Sequence, residues 1–124
     1  MSKKTKELSS DNWDREVLGT GLPVLVDFWA SWCAPCRALA PVVEQVASEM
    51  AGQVSVGALN IDEHADIAAR FGIRSIPTLV LFRDGQVVDR HVGGLPKDAL
   101  VDLVKSHLTV AVPSPEVGGA DVER

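Results

Sequence analysis

Cysteine is scarce in this 124-residue chain, which has two, at positions 33 and 36. Positive charge is also short, with 12 lysines and arginines against 17 aspartates and glutamates. Each shortage excludes a class. A structural zinc site needs four ligands. No second cysteine pair supplies them, and His64, His91 and His107 stand singly, so no metal is expected. A net charge of -5 argues against nucleic-acid binding, which calls for a basic patch or stripe. No apolar run approaches membrane-spanning length, and no apolar stretch follows the lysines of Met1–Glu7 as a secretory leader requires. The expectation is a cytoplasmic protein with neither membrane nor nucleic-acid partner. There is no internal repeat, and 46% hydrophobic with 23% charged residues is ordinary for a globular chain. The length suits one domain, read here as residues 1–108, followed by a flexible tail over 109–124 rich in Pro and Gly.

What is present centres on Trp29-Ala30-Ser31-Trp32-Cys33-Ala34-Pro35-Cys36-Arg37. Cysteines three positions apart share one side of a helical turn, so the pair can close to a disulfide or open to a dithiol with little backbone change. In a reducing compartment such a pair reads as catalytic rather than as a permanent staple.

The flanking pattern predicts an α/β sandwich, a mixed sheet with helices on both faces. Ser9–Leu18 reads as a capped first helix, with apolar Trp13, Val17 and Leu18. Leu22–Ala30 is a nearly unbroken apolar run, the signature of a strand buried on both faces. Cys33–Met50 turns helical, with Pro35 tolerated in its first turn and Pro41 inside it, where a kink is expected. Val54–Ile61 and Ile76–Phe82 read as strands, with a short helix over 62–71 between them. Asp84-Gly85 predicts a tight hairpin into Val87–Val92, an edge strand. Pro96 opens the last helix, which runs to Leu108.

Thiolate, not thiol, is the nucleophile. Cys33 falls where a helix begins, so free N–H groups and the positive end of the helix dipole favour its thiolate. Cys36 lies one turn inward. The asymmetry assigns Cys33 to attack a substrate disulfide and Cys36 to resolve the mixed disulfide. Asp27, a carboxylic acid within the buried run, is the candidate to take the Cys36 proton; the alternative is an Asp27 on a solvated edge or capping backbone.

The Trp-Cys-x-Pro-Cys motif after an apolar strand bearing Asp27, the Ile76-Pro77-Thr78 segment, the Asp-Gly hairpin and Gly93 together resemble the thioredoxin family over roughly 8–108. The resemblance implies a thioredoxin-like three-layer sandwich: a central sheet of five strands and four helices. It implies a monomeric protein-disulfide reductase with no bound cofactor beyond a redox-active Cys33–Cys36 disulfide. Its partners would be protein disulfides and an NADPH-dependent thioredoxin reductase. It further implies a cis bond before Pro77, and a shallow groove where Trp32, Ala34 and Pro35 face Ile76, Pro77, Val92 and Gly93 to dock substrate. Trp29 reads instead as core.

The chain departs from the family at three places. Ala34 replaces the usual glycine and is expected to stiffen the first helical turn. Ala58 stands where a lysine often neighbours the buried acid, which pushes the Asp27 pKa further up. Lys3, Lys4 and Lys6 replace a more apolar first strand, so that strand is expected to be short or frayed. Two other functions compete: a thiol oxidase or isomerase, and a non-catalytic clamp within a larger assembly.

Overall fold

The computed structural model describes residues 4–108, so the tail expected over 109–124 lies outside the described residues. A five-stranded sheet forms the middle layer: β1 (Lys6–Leu8), β2 (Val24–Trp29), β3 (Ser55–Asn60), β4 (Thr78–Arg83) and β5 (Gln86–Val92). Their spatial order is β1-β3-β2-β4-β5. β1, β3 and β2 run parallel, while β4 and β5 continue the sheet antiparallel. The sandwich expected from the sequence is the one formed.

β2 occupies the centre, which is why its apolar run is unbroken: Leu25 faces one layer and Val24, Val26 and Phe28 face the other. On the first face lie α1 (Ala34–Glu49) and α3 (Lys97–Leu108), contributing Leu39, Val43, Val46, Leu100 and Val104 to the core with Leu79 and Leu81. On the second lie α2 (Ala65–Arg70) and a single π-helical turn, Asp14–Leu18, packed through Ile67, Trp13 and Val17. Trp13 seats its ring 5.3 Å from Phe71 and 5.4 Å from Phe82, centroid to centroid.

The first helix differs from expectation. Ser9 and Asn12 pair reciprocally: the Ser9 N–H donates to Asn12 Oδ1 at 2.8 Å, and the Asn12 N–H donates to Ser9 Oγ at 3.2 Å. These short side chains compete with the backbone ladder. Regular helix is thereby limited to one wide turn, closed where the Gly19 N–H meets the Asp14 carbonyl at 3.0 Å. The 62–71 helix is likewise shorter, Ala65–Arg70. α1 runs on through Pro41, although proline offers no N–H to the turn before it. The hairpin is as read: Arg83 pairs with Gln86 across Asp84 and Gly85, both at positive φ.

β1 is the short strand expected, and it is held in place. Both Glu44 carboxylate oxygens on α1 accept backbone N–H groups, of Lys4 at 2.7 Å and Thr5 at 3.1 Å. Leu8 is buried and lies over Gly57 of β3: a Cβ there would stand 2.5 Å from Leu8 Cδ1 and 2.7 Å from its Cγ. Gly57→Ala is therefore expected to lower stability by about 1–3 kcal/mol through overpacking. Urea unfolding checks this, and an unchanged midpoint would mean that Leu8 moves aside at no cost.

Candidate functional site

The loop after β2 delivers Cys33 to the first position ahead of α1. Cys33 is the N-cap residue, with extended backbone, and its Sγ accepts the Cys36 N–H at 3.2 Å. Cys33 and Cys36 form a disulfide, their Cα atoms 5.2 Å apart. Both are buried, at 5% and 2% exposure, with Cys36 the deeper. The first turn of α1 holds no acidic residue, so nothing there offsets the positive end of the helix. A sulfur at this place is met by an amide and a dipole that both favour negative charge.

Beside the sulfurs lies the turn before β4. The Ile76–Pro77 bond is cis, as the family resemblance implied. Cys33 Sγ lies 3.8 Å from the Ile76 carbonyl oxygen. The Pro77 carbonyl accepts the Gly93 N–H at 2.8 Å, which ties the end of β5 to the same turn; Gly93 sits at φ 99°, a conformation that favours glycine. Around this point Trp32 and Val92 are strongly exposed, at 66% and 59%, while Ala34 and Pro35 are exposed on the helix start. Ile76 and Gly93 are half-buried, and the Pro77 ring is buried. The residues read from the sequence as a groove are thus brought to one end of the sheet.

Two supports were invisible in the sequence. The Trp32 indole N–H donates to Asp62 Oδ2 at 2.9 Å, which orients the exposed ring. The Arg37 guanidinium donates to the Ser31 carbonyl at 2.8 Å and pins the loop ahead of Cys33. Asp62 is 30 residues from its partner, and no local pattern signals such a contact.

Behind the disulfide, Asp27 lies in the sheet between Ala58 of β3 and Leu79 of β4, with 3% of its surface exposed. Burial pushes its carboxyl from 3.8 up to about 7, because the charged form is the one that loses water. Its Oδ1 meets no hydrogen-bond partner among the described residues. Asp27 and Cys36 line one cleft of about 730 Å³, opened between β1, β3 and α1, with half-buried Trp29 and Ala58 also in its walls. Trp29, read as core, is therefore only partly so.

A disulfide that opens to two thiols within one helical turn carries two electrons, and such a pair at the carboxyl end of a central strand defines a dithiol–disulfide oxidoreductase. Comparison with known proteins narrows the class. The family model for thioredoxin matches residues 4–106. Thioredoxin 1 of Synechococcus elongatus is 52% identical over 94 residues, 76% of this chain and 88% of that protein. Thioredoxin 1 of a Nostoc species is 46% identical over 102 residues, 82% and 95% of the two chains. The chloroplastic M-type thioredoxin of Pisum sativum is 43% identical over 101 residues, 82% of this chain and 59% of the pea protein. The chain belongs to the thioredoxin family. It is a protein-disulfide reductase whose redox group is its own disulfide, and thioredoxins are returned to the dithiol by an NADPH-dependent thioredoxin reductase.

Proposed function

We propose that Cys33 is the attacking thiol, Cys36 the resolving thiol and Asp27 the acceptor of the Cys36 proton. The Cys33 thiolate attacks one sulfur of a substrate disulfide; a new S–S bond joins Cys33 to substrate as the substrate bond breaks, and the departing sulfur takes up a proton. Cys36 then gives its proton to Asp27 within the shared cleft and attacks Cys33. The internal disulfide forms, and the second substrate sulfur leaves as thiolate. Two electrons pass to the substrate, and the protein is left oxidised.

The observation that carries this reading is the Cys36 N–H aimed at Cys33 Sγ at the start of α1. Exposed Trp32, Ala34, Pro35 and Val92 form the apolar surface on which a substrate segment lies, and the Ile76–Pro77 turn with Gly93 offers the backbone beside it. The working unit is residues 1–108, acting as a monomer in the cytoplasm on protein disulfides. Its relatives come from more than one setting: the two named thioredoxin 1 are cyanobacterial, and the M-type relatives of Pisum sativum and Spinacia oleracea are chloroplastic.

Limited alkylation of the reduced protein tests the roles. With scarce iodoacetamide at pH 7, peptide mapping should find Cys33 modified at least about tenfold faster than Cys36, with a midpoint in its pH profile below the ordinary thiol value of about 8.5. Faster modification of Cys36 would reverse the assignment.

A further inference from the structure

The cleft behind the disulfide is chemically one-sided. Asp27 stands at its inner wall, almost fully buried, with Oδ1 lacking a hydrogen-bond partner among the described residues. A buried acceptor left without a partner is costly, so a donor that reaches it is favoured. Two more carboxylates line the cleft, Glu7 from β1 and Glu63 from the turn after β3; Glu44 of α1 also lines it, but both its oxygens already hold the Lys4 and Thr5 N–H groups. The two cations in its walls are engaged elsewhere: Lys6 Nζ meets Glu16 Oε1 at 2.9 Å, and Arg37 holds the Ser31 carbonyl.

Between the carboxylates the wall is apolar. Ala58 is the register neighbour of both Glu7 and Asp27, so a single methyl group separates an outer carboxylate from the inner one. Pro41 and Val43 of α1 complete that surface.

We propose that this cleft binds a small organic cation, a primary alkylammonium whose head donates to Asp27 and whose short chain lies along Ala58, Pro41 and Val43. An ammonium has three donors and no acceptor, which suits a site built of carboxyl oxygens. A four-carbon chain fits within about 730 Å³. The inference rests on where Asp27 lies and not on its part in the exchange, so binding and thiol chemistry can fail separately.

Affinity is tied to the ionisation of Asp27, which burial sets at about 7. The other charged groups facing the cleft are Glu7 and Lys6 of β1, Arg37 and Glu44 of α1, and Glu63; Cys36 is in the disulfide. Asp27→Asn separates its contribution from theirs. The experiment titrates n-butylammonium chloride into the oxidised full chain at constant ionic strength, followed by backbone amide shifts at pH 6.0 and 8.5. Saturable shifts at Glu7 and Ala58 are expected, with affinity about tenfold higher at pH 8.5, since roughly a tenth of Asp27 is ionised at pH 6. Asp27→Asn should remove the pH dependence and weaken binding about tenfold, and Ala58→Leu, which fills the cleft and keeps the carboxyl, should abolish the shifts. Neutral n-butanol should produce none. No saturable shift at either pH, unaltered binding in either variant, or equal binding of n-butanol would overturn the proposal.

Discussion

Cys36→Ser is expected to turn the protein into a trap: mixed with a disulfide-bonded substrate, the reduced variant accumulates as a covalent complex through Cys33 and stops. The resolving sulfur sits one helical turn from the attacking one, with Cα atoms 5.2 Å apart. Well-placed intramolecular groups act at effective concentrations of roughly 10⁵ M or more. A serine hydroxyl is not a thiolate, and an outside thiol at millimolar concentration replaces the lost group only weakly. Release should therefore slow by several orders of magnitude. Non-reducing electrophoresis and intact mass read the complex directly, as a band and a mass that dithiothreitol removes. Cys33→Ser should form no complex, because the attacking thiolate is gone. Trapping by Cys33→Ser in place of Cys36→Ser would exchange the two roles, and a partner function kept equally by both variants and the parent, with no disulfide turnover in any of them, would return the clamp reading, in which partner binding needs no redox chemistry.

Much of this site was legible because its signals are local. Two cysteines, a proline and a helix start lie within four positions, and one turn of helix fixes their relation whatever the rest of the chain does. The central strand could be read for a similar reason: β2 has neighbours on both sides and layers on both faces, so every position from Val24 to Phe28 except Asp27 had to be apolar. The hairpin followed from Asp84 and Gly85, which tolerate the positive φ that a two-residue turn demands. Other features were set by contacts distant in sequence. Ser9–Leu18 has a helical pattern, yet the Ser9–Asn12 pairing and the seating of Trp13 among Phe28, Phe71 and Phe82 leave it one π-helical turn. Asp62 becomes the partner of Trp32 only once β2 and β3 have paired, and the cleft beside Ala58 exists only once β1, β3 and α1 have come together.

Asp27 should make the folded state less stable as pH rises from about 4 to about 7. Unfolded, its carboxyl ionises near 3.8; folded, burial holds the proton until about 7. Between those values the folded chain binds more protons than the unfolded one, so stability is greatest below the lower value and is lost up to the higher. At about 1.4 kcal/mol per pH unit the rise corresponds to about 4 kcal/mol in all. Asp27→Asn removes this dependence. Urea unfolding of the oxidised protein at pH 4 and pH 8 should show the variant gaining several kcal/mol on the parent between the two conditions. A gain that is equal at both would mean that Asp27 ionises in the folded protein as it does in the unfolded one. The same variant should release substrate more slowly, since an amide cannot accept the Cys36 proton. Ala58→Lys acts the other way: an ammonium at the register neighbour of Asp27 favours the carboxylate and lowers its pKa. At pH 7 a larger share of Asp27 is then ready to take a proton, so mixed-disulfide release should be faster in Ala58→Lys than in the parent, and its pH profile should shift to lower pH. Equal release rates with superimposed profiles would show that the charge state of Asp27 does not limit resolution. The costly burial of an uncompensated carboxyl would then need a purpose other than proton transfer.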